Sequence, residues 1–361
     1  MGSVPDIELL LGGLGRGEVA AAARLITIIE NGGDRAETVM DGVFAMTRGA
    51  YRVGFTGPPG AGKSTLVYRM SRIVRAEGIG IGVIAVDPTS PFSGGALLGD
   101  RIRMQTLSDD PGVFVRSLAS RGSLGGISSC TDEVADLLDA FGKDLIFIET
   151  VGVGQSELEI AEKVHTVVVI LVPESGDGVQ AMKAGLMEIG DIFVMNKADH
   201  SDAIGAAREL EETLRIKRVP EGGWRPLFVL ASAAKGTGVD ELRSRIEEHR
   251  RHLEERGLIR EKRRRVLFSR IRDAFMNRLE RRVWENASLR ELIDRRMEEV
   301  CEGKLSPYRL VRELERLVAG GAATFPSPFP RQGLVVVKGD ITFDYTTPLR
   351  GTGVVVVIGN A

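Results

Sequence analysis

Gly57-Pro-Pro-Gly-Ala-Gly-Lys-Ser-Thr65 is the stretch whose reading decides the fold. It follows the run Tyr51-Arg-Val-Gly-Phe-Thr56 and opens a helix-like segment, Leu66 to Glu77. Strand, glycine-rich loop and helix, in that order, form the setting a phosphate-binding loop requires. Gly57, Gly60 and Gly62 let successive backbone N–H groups curl around an anion, and the helix N-terminus adds its dipole. Lys63 is expected to reach the outer phosphates, and the Ser64 hydroxyl to ligate Mg²⁺. Pro58 and Pro59 stiffen the loop before phosphate arrives. Ala61 and Thr65 complete the expected phosphate contacts. A plain Gly-rich turn is the alternative, and the Lys-Ser ending with these flanks argues against it.

Asn196-Lys-Ala-Asp199 closes the apolar run Ile192-Phe-Val-Met195. This spacing suits guanine. The Asp199 carboxylate can accept from N1–H and the 2-amino group together, a pair of donors that adenine lacks. Asn196 can bond the base edge, and the Lys197 stem can lie along the ring. Leu230-Ala-Ser-Ala-Ala-Lys235 ends another apolar run, and its small residues, Ser232 and Ala233 among them, let backbone N–H groups approach guanine O6. Three loops at three strand ends, in this order, favour GTP over ATP.

Strand candidates alternate with helical segments from Tyr51 to about Glu248: Arg52–Thr56, Gly80–Val86, Val113–Ser117, Leu145–Glu149, Thr166–Val172, Ile192–Met195 and Leu227–Leu230. Several are nearly all apolar, as buried parallel strands are. The expected fold is α/β, a doubly wound, mostly parallel sheet with ligands at the carboxyl ends of its strands. Residues 1–50 read as a helical leader with two helices, broken at a left-handed cap in Asn31-Gly-Gly33. In the first of these, Val19, Ala22, Ala23, Ile26 and Ile29 recur at helical spacing. Residues 249–319 read as charged helix, with Leu267, Ile271, Phe275, Leu279 and Val283 every fourth residue and Phe268 alongside. Such a stripe must be covered, either by the chain's own nucleotide domain or by a second copy. Residues 320–361 hold a Pro-rich linker, Phe325 to Pro330, and strand-like pieces at Leu334–Val337, Ile341–Tyr345 and Val354–Ile358.

The 361 residues carry a net charge of −2 and 43% hydrophobic residues, enough for a sizeable core and without a field favouring nucleic acid or anionic membrane. The basic run Arg260 to Arg265 is interleaved with acids and lacks aromatic partners for base stacking. Cys130 and Cys301 form no CxxC and read as packed thiols of a reducing compartment. His249 and His252, three apart with no third ligand near, read as chance surface residues. No run of about 18 uncharged apolar residues occurs, so a cytoplasmic location is expected.

Between the nucleotide motifs, the strand ending at Val86 delivers Asp87, placed to hold Mg²⁺ or its waters. Asp100 is either a second outer carboxylate or a helix cap. In Glu149-Thr-Val-Gly152, Glu replaces the Asp usual in the DxxG motif. Glu149 is expected near Mg²⁺, and the Gly152 N–H near the γ-phosphate. Lys63, Asp87, Glu149 and Gly152 thus form the expected catalytic set, and Ser64, Asp87, Asp100 and Glu149 the metal set. Val153 stands where a water-positioning Gln often follows, and Gln155 is two residues further on. Slow hydrolysis quickened by a partner is therefore expected. Arg116 and Arg121 are either transition-state charges or structural ion pairs.

Taken together, the phosphate loop, Ala85–Met104 (AVDPTSPFSGGALLGDRIRM), Arg116–Gly126 (RSLASRGSLGG), Glu149–Glu157 (ETVGVGQSE) and NKAD resemble the MeaB/ArgK-type G proteins. These are GTPase chaperones of adenosylcobalamin-dependent acyl-CoA mutases such as methylmalonyl-CoA mutase. The likeness runs from about Gly17 to Leu317. It implies a SIMIBI-type G domain, GTP/GDP and Mg²⁺ as ligands, a mutase as protein partner, and dimerisation through the C-terminal helices. It also implies a mobile signalling loop at Glu174 to Lys183. The strand-like tail after Pro330 departs from the family. A small-molecule or protein kinase, a nickel-delivery GTPase and a purely nucleotide-dependent interaction protein stay as alternatives. A kinase needs an acceptor pocket and a base, and nickel delivery needs His or paired Cys ligands; none is evident in the sequence.

Overall fold

The structure is a computed structural model that describes residues 6–87, 109–119, 130–150, 156–173, 185–200, 203–319, 334–337 and 355–358. Three helices lead: α1 (Ile7–Gly15), α2 (Val19–Asn31) and α3 (Asp34–Met46). Then come β1 (Tyr51–Thr56), α4 (Lys63–Ala76), β2 (Ile81–Asp87), β3 (Val113–Ala119), α5 (Thr131–Ala140), β4 (Leu145–Glu149), α6 (Ser156–Lys163) and β5 (Thr166–Leu171). They are followed by α7 (Leu186–Ile189), β6 (Ile192–Met195), α8 (Ala203–Ile216), β7 (Leu227–Leu230) and α9 (Val239–Glu255). The chain ends with α10 (Leu258–Trp284), α11 (Ala287–Cys301), α12 (Pro307–Ala319), β8 (Leu334–Val337) and β9 (Val355–Ile358).

Strands β1 to β7 form one sheet in the order β3-β2-β4-β1-β5-β6-β7, and every pairing is parallel. All seven strands lie where the apolar runs predict them, within a residue or two. The sheet is buried on both faces, which is why those runs do not alternate. Leu66, Met70 and Val74 of α4 and Leu242, Ile246 and Leu253 of α9 pack on one face. Leu25 and Ile26 of α2, Val39 and Val43 of α3, and Leu137 and Leu138 of α5 pack on the other. Fully burying each such side chain contributes about 1.5–3 kcal/mol.

The leader differs from its sequence reading in three ways. It has three helices, because Gly17 (φ 80°) turns the chain between α1 and α2. The buried stripe of α2 is Ala21, Ala22, Leu25, Ile26 and Ile29, so Val19 lies outside it, 60% exposed. Gly32 and Gly33 have positive φ (69° and 79°) with ψ near 180°, not the left-handed helical ψ of the expected cap. Three buried acids on α5 tie it to the residues before β1, to β1 and to α6. Asp139 accepts from the N–H groups of Arg48 and Gly49. Asp136 pairs with Arg52, and Asp132 with Lys163.

The amino end of the sheet carries a polar network built around a histidine that sequence reading placed on the surface. His249 of α9 is only 1% exposed. Its Nδ1 lies 2.9 Å from the Thr166 hydroxyl, which is 2.6 Å from the Tyr51 hydroxyl. Its Nε2 lies 3.5 Å from Asp191. His165 Nδ1 accepts from the Arg52 N–H, and its ring stacks on Tyr51. Burial holds both imidazoles neutral, with pKa values lowered to about 3.

Two compact units divide the chain, Met1–Val266 and Leu267–Ala361. Glu248 falls inside α9, whose buried face includes His249 and Leu253. In the second unit, Asn286 caps α11, and Arg296 of α11 meets Glu313 of α12 at 3.5 Å. Phe268, Ile271 and Phe275 of the predicted stripe are exposed. Strands β8 and β9 pair antiparallel, and the expected strand Ile341–Tyr345 lies outside the described residues. Among the described residues no helix is long and apolar enough to cross a membrane.

His165 sets a pH dependence. Its folded pKa of about 3 lies below the unfolded value of 6.5, so the unfolded chain binds the extra proton and stability falls as pH drops between those values. Between pH 7 and 5 this amounts to about 2 kcal/mol. Asp191, its carboxyl pushed up by burial, works in the opposite sense as it gains a proton. Urea unfolding at pH 7, 6 and 5 is expected to show a falling midpoint, and His165→Asn is expected to remove about half of that slope, with His249 supplying the rest.

Candidate functional site

The phosphate loop leaves the carboxyl end of β1, between β4 and β5. Gly57 has φ 136°, and a Cβ there would meet the Ile170 carbonyl oxygen at 2.0 Å, so β5 leaves room for glycine only. Gly62 sits at φ 88°, ψ 22° before the first turn of α4 and brings no side-chain cap to it. The first amides of a helix have no intrahelical acceptor, so an uncapped start suits an anion. The Lys63 side chain is buried, and its ammonium folds back to donate to the carbonyls of Gly57 (2.9 Å) and Pro58 (3.0 Å). The Ser64 hydroxyl donates to Glu149 Oε1 at 2.6 Å. Glu149 ends β4, in register with Phe55 of β1 and Ala85 of β2.

Asp87 ends β2, which places its backbone at the same sheet edge as Glu149. The Asp87 side chain, Asp100, Arg121, Gly152, Gln155 and the segment Glu174 to Lys183 lie outside the described residues. Arg116 is committed to an ion pair with Glu30 of α2, so this arginine takes the structural alternative.

The guanine-type loops follow β6 and β7. Asn196 is 2% exposed and spans the two halves of the site. Its Nδ2 donates to Ala61 O at 2.7 Å, and its Oδ1 accepts from Ala233 N–H at 2.9 Å. The sequence reading gave Asn196 a place at the base edge and Ala233 a contact with O6. Here one Nδ2 donor of Asn196 and the Ala233 N–H join the loops, because facing backbone groups buried at this junction need partners, and the second Nδ2 hydrogen remains for the base edge. Lys197 has φ 57°, the one positive value outside glycine among the described residues. Holding a bulky residue there costs about 1–3 kcal/mol, as happens at clamps for ligands. Asp199 is exposed and accepts from the Ser232 hydroxyl at 2.7 Å. That bond is the main reason its pKa lies below the ordinary carboxylate value, so the carboxylate is ionised at neutral pH. Lys235 Nζ lies 3.7 Å from its other oxygen.

Two residues are added by the structure. Ala234 is exposed beside Asp199, and its N–H has no acceptor among the described residues. Arg69 of α4 donates to the Ala234 carbonyl at 2.9 Å. Ala234 stands within the motif already singled out, one position past Ala233. Nothing in the sequence marks Arg69.

An uncapped helix start behind a glycine loop, a buried ammonium beside it, a hydroxyl–carboxylate pair at the end of β4 and a separate carboxylate after β6 define a P-loop GTPase. The model of the family described as methylmalonyl Co-A mutase-associated GTPase MeaB matches residues 22–288. A Pyrococcus abyssi protein carrying a provisional GTPase name is 45% identical over 317 residues, spanning 87% of this chain and 98% of its own. The mouse protein named methylmalonic aciduria type A homolog, mitochondrial, is 34% identical over 325 residues, 84% of this chain and 77% of its own. A crystal structure of an LAO/AO transport system kinase superposes with TM-score 0.66 at 26% identity, covering 88% of this chain and 99% of that one. The chain belongs to the MeaB family of GTPases.

Asn196→Ala strands a buried carbonyl and a buried N–H, each worth about 1–3 kcal/mol. Chemical denaturation is expected to show a loss of about 2–4 kcal/mol. Calorimetric titration is expected to show GDP affinity reduced at least tenfold, since both loops lose their common anchor.

Proposed function

We propose that this chain binds and hydrolyses GTP to gate cofactor loading onto an adenosylcobalamin-dependent acyl-CoA mutase, and to protect or reactivate that enzyme. The observation that carries the nucleotide half is the Asn196 junction, which holds an anion-binding loop and a carboxylate-bearing loop as one rigid surface. The mutase half is supported by the family's description and the name of the mouse relative.

In this reading the amides of Gly60, Gly62, Lys63, Ser64 and Thr65 receive the phosphates. Lys63 exchanges the carbonyls of Gly57 and Pro58 for phosphate oxygens, so its ammonium stays hydrogen-bonded in both states. Ser64 and Glu149, two hard oxygen donors already in contact, fit Mg²⁺, with Asp87 and Asp100 as further carboxylates. When bound, Mg²⁺ would neutralise charge on the phosphates. Phosphate oxygens and water would complete its shell. Asp199 reads the N1 and 2-amino donors of guanine. Gly152 and the loop after it respond to the γ-phosphate, and Glu174 to Lys183 relay the nucleotide state to the mutase.

The domains assigned from sequence follow the same scheme. Residues 1–50 brace the sheet, 51–248 carry the nucleotide, and 249–319 form a homodimer contact through the exposed Phe268, Ile271 and Phe275. Residues 320–361 form a tail. A cytoplasmic location, without nucleic-acid or membrane partners, accords with the near-neutral charge.

Calorimetry with Mg²⁺ is expected to give strong heat for GTP and little for ATP. Lys63→Ala should abolish that heat while leaving the circular dichroism spectrum and melting curve in place. Asp199→Asn should weaken GTP binding by about tenfold or more and admit xanthosine triphosphate. Equal heats for GTP and ATP in the parent protein overturn the guanine reading.

The mutase half is checked by single-turnover hydrolysis with and without methylmalonyl-, isobutyryl- or hydroxyisobutyryl-CoA mutase. One of them is expected to raise the rate. Turnover indifferent to all three contradicts the gating role, and transfer of labelled phosphate to a protein or metabolite would favour a kinase.

A further inference from the structure

We infer that Thr150 is a positioning residue for the metal-ligating part of the site: its hydroxyl, bonded to that of Thr56, fixes the backbone from which Glu149 reaches Ser64. This goes one step beyond the proposed Mg²⁺ pair of Ser64 and Glu149, and rests on it. The parallel register of β1 and β4 closes on Phe55 and Glu149. One position on, the Thr150 N–H donates to the Phe55 carbonyl at 3.0 Å. There the two chains part, β1 into the phosphate loop and β4 toward Gly152. At the parting, the Thr150 hydroxyl donates to the Thr56 hydroxyl oxygen at 3.1 Å and lies 3.5 Å from the Phe55 carbonyl oxygen. Both threonines are buried.

Side chains alternate along a strand. Phe55 and Glu149 face α4, where Phe55 packs with Leu66 and Met70 and Glu149 meets Ser64. Thr56 and Thr150 face the other side, where Ile160 of α6 closes on Gly54. The hydroxyl pair is thus a pin at the back of the sheet for a carboxylate that works at the front. On the other flank of β1, Gly57 is pressed against the Ile170 carbonyl of β5. The entry to the phosphate loop is therefore held by steric contact from β5 and by hydrogen bonds from β4. Ser64 and Glu149 stand 2.6 Å apart, but Ser64 rides on α4 and Glu149 on β4. Their separation depends on how the end of β4 sits against the end of β1. Ligating groups must be held to within about 0.5 Å of their working geometry. Two valines would fill the same space without the cost of burying hydroxyls, so the pair is explained by the alignment it gives and not by packing.

The test uses the full chain with Thr150→Val, Thr150→Ser, Thr56→Val and Glu149→Gln. Mg²⁺ is titrated into each protein in the presence of fluorescently labelled GDP, and the GDP dissociation constant is also measured in excess EDTA. In Thr150→Val the Mg²⁺ concentration for the half-maximal effect is expected to rise about tenfold, as for other groups that orient metal ligands, while GDP affinity in EDTA changes by less than about twofold. Thr150→Ser, which keeps the hydroxyl, is expected to restore most of the parent's Mg²⁺ requirement. Thr56→Val leaves the Phe55 carbonyl oxygen to take the Thr150 hydroxyl and is expected to shift the requirement in the same direction by a smaller factor. It carries the test should Thr150→Val not fold. An unchanged Mg²⁺ requirement in the valine variants, or an equal loss of GDP affinity with and without Mg²⁺, would overturn the role of Thr150 while leaving the GTP reading standing. Glu149→Gln with the parent's Mg²⁺ requirement would instead remove the metal assignment on which the inference rests.

Discussion

The site depends on one buried carboxamide. Asn196 bonds to the phosphate loop and to the guanine-type loop at once. Its two polar ends face a carbonyl and an N–H that would otherwise be buried without partners, so the arrangement is stable only when both loops are in register. Gly62 is part of the same constraint. A Cβ there would come within 2.4 Å of Asn196 Nδ2, so the glycine is required as much by this contact as by its backbone angles. The loop after β1 and the loop after β7 are thereby held in one register.

That junction stands on a sheet whose two ends are built differently. At the carboxyl end, polar groups form separate pairs, Ser64 with buried Glu149 and Ser232 with exposed Asp199. At the amino end, Tyr51, Thr166, His249, Asp191 and the Trp224 indole satisfy one another. This network fastens α9 across β1, β5 and β6, while the three acids of α5 fasten it to the residues before β1, to β1 and to α6. Burial keeps the two histidines neutral, so the network is one of hydrogen bonds and not of charges.

Much of this was legible in the sequence because it rests on local chemistry. Seven apolar runs became seven strands, since a parallel sheet covered on both faces demands uninterrupted apolar side chains. Gly57, Gly62, Lys63 and Ser64 read as a phosphate loop because their spacing carries the function. What was misread rests on long-range contacts. His249 looked like a surface residue amid charged neighbours, yet its side of α9 meets Thr166 and Asp191, 83 and 58 positions away. Asn196 was read for its base edge alone, and its bonds to Ala61 and Ala233, 135 and 37 positions away, were not foreseen. The turn at Gly17 went unseen because a single glycine in a helical pattern does not announce its φ.

The sequence by itself determined the order of elements, the anion-binding loop and the carboxylate suited to guanine, because glycine spacing, apolar runs and strand-end motifs act over a few residues. Only the tertiary structure decided that Asn196 joins Ala61 to Ala233, that Ser64 meets Glu149, and that Arg69 of α4 reaches the Ala234 carbonyl. Those outcomes depend on which strands lie side by side. Parallel order in a doubly wound sheet brings together residues that no short window of sequence connects.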